Sequence, residues 1–370
     1  MITKSNRLRE LDFLRGIAIL LVLLRHQYLF QFTKNMGWIG VDLFFVLSGF
    51  LVSGLLFKEY LKYGNIKPGL FLIRRGFKIY PIYFIFYILY LIPILIKHKL
   101  EWRGFLADMF FVQNYILGWG YAYAASWSLA VEEHFYFGFA LLLWVGLKKN
   151  WIKLKIHSTK INNFEIIIVA IMVLCFCLRV YNNKYFPDDN IRNFTMTHLR
   201  VDSLLAGVFV SYLYYFRNEF LTNFFNSYKK LLLVLCPLLL SFSPIMDPMD
   251  SFYIKTFGFT FLYISFGILL VYFLIDKNIN YTLNYWFSNN VVTSISKIGF
   301  SSYSIYIIHT FVNYVFSLTN NFIFHNSIHQ IIIFVGSSLT SILIGILMTT
   351  YIEKYFLSIR DKWYPSRIAQ

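Results

Sequence analysis

Residues 11–30 read LDFLRGIAILLVLLRHQYLF. Twenty helical residues extend about 30 Å, the thickness of the hydrocarbon core of a bilayer. The run is apolar enough to cross, yet it carries Asp12, Arg15, Arg25 and His26. A charged side chain at mid-membrane costs about 3 kcal/mol on insertion scales, so this helix reads as a pathway or reaction site rather than a plain anchor. Arg15 and His26 are eleven positions apart. At 100° per residue they share one helix face, roughly 16 Å apart along the axis, with Asp12 near the same face. An Asp12–Arg15 pair reaching toward the headgroups, beside a His26 that bonds a neighbouring helix, satisfies the same spacing.

The rest of the chain has the same character. Its 370 residues are 58% hydrophobic, 21% aromatic and only 14% charged, with mean hydropathy +0.58, where soluble domains carry roughly 25% charged residues. This excludes a disordered, collagen-like, coiled-coil or disulfide-stapled chain and requires a bilayer. Nine further apolar runs, at 38–57, 79–96, 124–147, 164–178, 204–216, 231–245, 256–275, 300–318 and 328–351, complete an expected all-α integral membrane protein of about ten transmembrane helices. Residues 104–120 are apolar but interrupted by Asp108, Gln113 and Asn114, as in an interfacial or re-entrant piece. If the N-terminus is cytoplasmic, 23 of the 34 Lys and Arg residues fall on its side and nine on the other. That bias predicts cytoplasmic N- and C-termini. The net charge of +16 and pI near 9.5 then reflect loop composition, and no nucleic acid partner is expected. Cys175, Cys177 and Cys236 all lie in apolar runs and read as buried hydrophobes. No cleavable signal peptide is expected.

The 16 Å between Arg15 and His26 suits a long, thin substrate with an anionic head. An acyl-CoA fits, with its phosphates at the cytoplasmic end and its thioester beside the imidazole. The imidazole would serve as a general base with an ordinary pKa near 6.5. Arg74, Arg75 and Lys78 read as a cytoplasmic loop. They serve topology, attract anionic lipid, or clamp phosphates. Glu132 and Tyr136 share a helix face near an outward helix start, where Glu133 and His134 read as solvated. Glu132 is a candidate for orienting His26 or binding an acceptor. Asp42 reads as acceptor-binding or hydrated, and Ser48 beside Gly49 as a packing device or a ligand. Arg200 and Asp202 suggest a structural ion pair. His309, in three-residue steps with Tyr303 and Tyr306, suggests a helix-to-helix hydrogen bond or a share in catalysis. No metal cluster, phosphate-binding glycine loop or nucleophile elbow is evident.

Leu14-Arg15-Gly16 with His26 resembles the Arg-x10-His signature of the integral-membrane acyltransferase family 3. Gly40-Val41-Asp42-Leu43-Phe44-Phe45-Val46-Leu47-Ser48-Gly49-Phe50 is similar to its next block, and Arg74-Arg75-Gly76-Phe77-Lys78-Ile79-Tyr80-Pro81 to its basic loop. Trp127-Ser128-Leu129 through Glu132 to Phe135-Tyr136, Arg200-Val201-Asp202 with Leu204 and Gly207, and Ser302-Tyr303 with Tyr306 and His309 resemble three later blocks, all in the family's order. Lys78 stands where the family has a third arginine, keeping the charge without the planar fork, and Tyr355 replaces the proline of its closing Glu-Lys-Pro.

The resemblance implies transfer of an acetyl or other acyl group from cytoplasmic acyl-CoA to a hydroxyl of an extracytoplasmic glycan or lipid-linked saccharide, in a bacterial cytoplasmic (inner) membrane. His26 would be catalytic, as base or transient acyl carrier, supported by Glu132. Arg15, Arg74, Arg75 and Lys78 would bind acyl-CoA. Asp12, Asp42, Ser48, Tyr136, Arg200, Asp202 and His309 would support the site or its acceptor side. Acetyl-CoA enters as donor substrate, with no permanently bound cofactor and no metal. The expected membrane domain covers 7–356, followed by a short basic cytoplasmic tail at 357–370 with no appended soluble domain. A multi-pass transporter or flippase of a glycan or acyl substrate is the rival class. It would more often show two related halves with broken helices, and no such symmetry is visible.

Overall fold

The computed structural model describes residues 8–27, 29–154, 161–249, 251–325 and 328–368. The expected domain start at Arg7 and the last two residues of the expected tail lie outside them. Among the described residues every regular element is helical. The chain runs through α1 (Arg9–His26), α2 (Gln31–Gly37), α3 (Gly40–Tyr63), α4 (Pro68–Ile96), α5 (Trp102–Met109) and α6 (Gln113–Ile116). It continues through α7 (Trp127–Lys148), α8 (Asn163–Tyr185), α9 (Asn190–Thr195), α10 (Val201–Phe216), α11 (Asn218–Leu240) and α12 (Phe259–Ile275). It closes with α13 (Ile279–Phe287), α14 (Asn289–Phe300), α15 (Ser302–Phe322), α16 (Gln330–Leu347) and α17 (Lys354–Trp363), with π-helical turns at Ile254–Gly258 and Met348–Glu353.

The molecule is a multi-pass membrane protein. Six helical stretches are long and apolar enough to cross a bilayer, and a seventh if α14 and α15, bent by 79° at Ser301, are taken as one. Each of the ten expected runs coincides with a helix, though several boundaries move. α1 ends at His26, where Gln27 turns extended, rather than continuing to residue 30. α11 starts at Asn218 and ends at Leu240, so 241–245 is not helical. α4 begins eleven residues before the expected span. Gly64, at φ +68°, terminates α3, and Pro68 opens α4 at a position where its missing N–H costs nothing. Arg74, Arg75 and Lys78 are therefore helical, not in a loop. At 1.5 Å per residue the 29-residue α4 is about 43 Å long, more than the apolar layer is thick. Residues 357–363 of the expected basic tail are helical, as part of α17.

Two close helix crossings position the site. A Cβ on Gly207 of α10 would lie 2.0 Å from the carbonyl oxygen of Val46 on α3, and one on Gly49 1.9 Å from that of Leu204. The α1–α14 crossing is as tight, where a Cβ on Gly299 would lie 1.8 Å from the carbonyl oxygen of Asp12. Backbones meet there, so no side chain can yield. Gly207→Ala is expected to cost about 1–3 kcal/mol by overpacking, read as an earlier thermal unfolding midpoint of the purified protein in detergent.

Beside the first crossing lies a desolvated charge cluster. Arg200 Nη2 meets Asp42 Oδ1 at 2.8 Å, and Arg179 Nη1 meets Asp202 Oδ2 at 2.6 Å, with all four side chains inaccessible. Ser203 Oγ also donates to Asp42 Oδ1 at 3.2 Å, and Arg200 Nη1 to the Phe194 carbonyl at 2.9 Å. The Arg200 guanidinium sits 3.7 Å from the Phe259 ring centroid. Two expectations are corrected here. Arg200 and Asp202 do not pair with each other: Arg200, at the non-helical N-cap of α10, reaches Asp42 on α3, and Asp202, in the first turn, reaches Arg179 on α8. Asp42 is not hydrated, because Arg200 neutralises it in the interior.

Candidate active site

A cavity of about 350 Å³ opens between α1, α3, α4, α7 and α15. Seven of the expected residues line it: Asp12, Arg15, Ser48, Arg75, Lys78, Glu132 and Tyr136. Arg15 donates from Nη2 to Ser302 Oγ at 3.0 Å and lies 3.8 Å from Asp12 Oδ1, so α1 presents its cation to the cavity with a carboxylate behind it. Lys78 Nζ is 3.8 Å from Glu353 Oε1. Arg75 lays its guanidinium 4.8 Å from the Tyr136 ring centroid, and its Nε is buried without a hydrogen-bond partner. Tyr136 OH in turn donates to Glu132 Oε2 at 2.6 Å and accepts from Ser48 Oγ at 2.8 Å. Three helices thus share one polar relay, with Ser48 from α3, Glu132 and Tyr136 from α7, and Arg75 from α4.

Helix geometry separates residues that stand together in sequence. Arg75 turns about 100° from Arg74 and faces the cavity. Arg74 faces α17, donating from Nη2 to Asp361 Oδ1 at 2.9 Å and from Nη1 to the Tyr364 carbonyl. On α7 the same rotation divides Glu132 from Glu133. Glu133 was expected to be solvated; instead it is buried, and its Oε2 accepts from Tyr80 OH at 2.8 Å. His134 is half-buried, with Nδ1 2.7 Å from Thr197 Oγ1. The Asp108, Gln113 and Asn114 interruptions are fully buried anchors, Asp108 accepting from the Tyr121 and Ala122 N–H groups at 2.9 Å each and from Tyr87 OH at 2.7 Å.

His26 lies outside this cavity, at the exposed end of α1, edge-to-face with His309 at 4.8 Å between ring centroids. His26 Nδ1 is 2.9 Å from the Val22 carbonyl, and His309 Nδ1 is 2.7 Å from the Tyr306 carbonyl. A carbonyl only accepts, so each neutral ring carries its proton on Nδ1 and presents a bare Nε2. His309 is fully buried and its Nε2 has no partner. The expected helix-to-helix bond of His309 is therefore an intrahelical one, and its interhelical contact is with the other imidazole. Tyr306 lines the cavity, its ring 5.5 Å from that of His309 and its hydroxyl 2.7 Å from Ser128 Oγ. It therefore borders both the cavity and His309. Glu132 bonds within the cavity relay and His26 within its own helix. Asp42, Arg200 and Asp202 belong to the separate buried cluster. Lys58, Ser128 and Ser302 also line the cavity; the two serines lie in blocks that carry the family resemblance, but none of the three is assigned a role from sequence.

The family described as Acyltransferase domain matches residues 8–350. The chain belongs to this acyltransferase family. Its relatives include a Staphylococcus aureus (strain COL) protein bearing the name Putative O-acetyltransferase, 30% identical over 57% of this chain and 36% of that protein. Peptidoglycan O-acetyltransferase OatA of Listeria monocytogenes is 30% identical over 39% of this chain and 25% of its own length. O-acetyltransferase OatA of Staphylococcus aureus (strain NCTC 8325 / PS 47) is 28% identical over 55% and 34%, respectively. The chain spans about a third or less of these curated relatives. No solved structure matches this acyltransferase-family chain.

Proposed function

We propose that this acyltransferase-family chain is a membrane O-acetyltransferase, moving an acetyl group from cytoplasmic acyl-CoA to a hydroxyl of an extracytoplasmic glycan. The proposal keeps about ten spans with both termini cytoplasmic, in a bacterial cytoplasmic membrane. One observation carries it. A cavity lined by Arg15, Arg75 and Lys78 also has Tyr306 in its lining, and the Tyr306 ring lies 5.5 Å from that of His309, which itself packs against His26. Phosphates held near the basic side chains leave the thin pantetheine arm to run along α1 toward His26. The names of the relatives supply the acetyl group and point to a glycan acceptor.

The histidine geometry supports general-base transfer. An acceptor hydroxyl arriving at the exposed side of His26 gives its proton to Nε2 as its oxygen adds to the thioester carbonyl carbon. Collapse breaks the C–S bond, the sulfur takes the proton from the imidazolium, and an ester and a free thiol leave. Val22 O holds the Nδ1 proton throughout, stabilising the imidazolium between the two transfers. The relay of Glu132, Tyr136 and Ser48 keeps Arg75 flat against its aromatic partner, with its charge directed to the donor.

Purified protein in nanodiscs, given acetyl-labelled CoA and soluble peptidoglycan fragments, is expected to produce alkali-labile label on the glycan. Substrate that accumulates unchanged inside sealed proteoliposomes would support the transporter instead, and label that stays on CoA would end the acetyltransferase reading. Arg75→Lys is expected to raise the donor KM about tenfold, because lysine lacks the stacked planar fork, with kcat within about twofold of wild type because the transferring atoms are remote from position 75.

A further inference from the structure

The C-terminal helix contributes a feature that neither the family resemblance nor the cavity lining points to. Asp361 Oδ1 is shared by two guanidinium groups: Arg74 Nη2 at 2.9 Å, and Arg360 at 2.8 Å from Nη2 and 3.0 Å from Nε. One oxygen thus accepts from two side chains carried by helices far apart in sequence. The two arginine side chains are mostly covered, at 19% and 18% accessible, whereas the carboxylate is 55% accessible. Covered cations around an exposed anion describe a seat whose occupant can leave. Arg75, next to Arg74 in sequence, lines the cavity, so the seat adjoins the cavity's basic side. A second carboxylate from the same end of the chain, Glu353, faces Lys78.

The seat does not depend on Asp361 for its shape. Beyond α17 the chain is fixed independently. Arg367 Nη1 meets Glu59 Oε1 at 2.5 Å, and its guanidinium lies 4.3 Å from the Tyr63 ring centroid. Tyr63 OH donates to the Arg367 carbonyl, and the Tyr364 ring packs 5.7 Å from that of Phe77. Arg74 Nη1 also donates to the Tyr364 carbonyl, so rotation of the Asp361 side chain into solvent leaves Arg74 held on this fixed segment. A phosphate monoester carries nearly two charges at pH 7 and three acceptor oxygens, against one charge and two oxygens for a carboxylate, and two planar guanidiniums suit it.

We propose that Arg360 and Arg74 form a two-guanidinium seat for a phosphate monoester of the donor, and that Asp361 fills this seat as an internal counter-ion until the donor displaces it. The inference rests on the acyl-CoA reading above and deepens it, assigning part of donor recognition to the C-terminal helix. For coenzyme A the monoester is the ribose 3′-phosphate, which dephospho-coenzyme A lacks.

The test measures binding of both compounds to the full chain in phosphatidylcholine nanodiscs by calorimetry. Arg360→Gln is expected to raise the Kd of coenzyme A about tenfold, the loss of one charge-assisted pair, while that of dephospho-coenzyme A stays within about twofold. Asp361→Asn is expected to tighten coenzyme A about threefold by removing the competitor, and Arg360→Lys to fall between Arg360→Gln and wild type. Unchanged coenzyme A binding in Arg360→Gln overturns the seat, as does equal weakening of both compounds. Weakening by Asp361→Asn that matches Arg360→Gln makes the cluster a structural brace only. In a parallel arm, discs containing phosphatidylglycerol and no coenzyme A are compared for lipid retention. If Arg360→Gln changes only that retention, the ligand is a lipid headgroup and the proposal fails. Wild-type protein that binds neither compound overturns the donor reading itself, an outcome distinct from wild-type binding that Arg360→Gln leaves untouched.

Discussion

His26→Phe is expected to reduce acetyl transfer by about 10²–10⁴-fold, the usual contribution of a general base, while coenzyme A binding stays within about twofold of wild type. The separation follows from geometry: His26 is not in the lining of the cavity that Arg15, Arg75 and Lys78 share. A phenyl ring keeps the edge-to-face contact with His309 and removes the nitrogen. His309→Phe is expected to be severe too, because the buried ring flanks His26 at 4.8 Å. The double variant should be little worse than the worse single one, as for groups that act as a unit. Steady-state ester formation in nanodiscs, with a parallel binding isotherm, gives both quantities. Full activity in His26→Phe would remove the imidazole from the mechanism.

Asp42→Ala should give the largest stability loss in the molecule, about 3–5 kcal/mol, the range for removing one partner of a buried pair. The cost is the stranded Arg200 cation rather than the lost bond. Arg200 is wholly inaccessible, its remaining hydrogen bond in the cluster goes to the Phe194 carbonyl, and aromatic rings surround it. Asp42→Leu combined with Arg200→Met removes both charges and is expected to recover much of the loss, since apolar replacement of a whole buried pair is often neutral. Monodisperse yield on gel filtration and the midpoint of thermal unfolding in detergent report both results. A single variant as stable as wild type would mean that water reaches the cluster.

The residues of α1 were legible in the sequence because the helix is regular. A fixed rotation per residue places Arg15 and His26 on one face, and the structure puts one in the cavity and the other against a second histidine. The order of apolar runs was legible for the same reason, each run matching a helix. What escaped were register at helix ends and long-range pairing. Arg74, Arg75 and Lys78 looked like a loop because positive charge ends a hydropathy peak before it ends a helix. Only their helical register separates Arg75, at the cavity, from Arg74, at the tail. Asp42 meets Arg200 across 158 positions, and Asp202 meets Arg179 rather than its near neighbour. Local spacing carries no information about such partners. Glu133 misled because a carboxylate near a helix start reads as hydrated, and the Tyr80 hydroxyl that receives it lies 53 positions away.

Tyr306 has a consequence for the membrane itself. A bore wide enough for a pantetheine arm, open at both ends, would let protons and small ions run down their gradients and short-circuit the cell's energy store. On the proposed route the tyrosine, pinned by its hydroxyl to Ser128 and to the carbonyl of Ala125, is the side chain that would close such a bore. Swinging it aside breaks two hydrogen bonds, each worth about 1 kcal/mol. On the proposed route a donor opens the bore only while it fills it, which is the behaviour of an airlock rather than a channel.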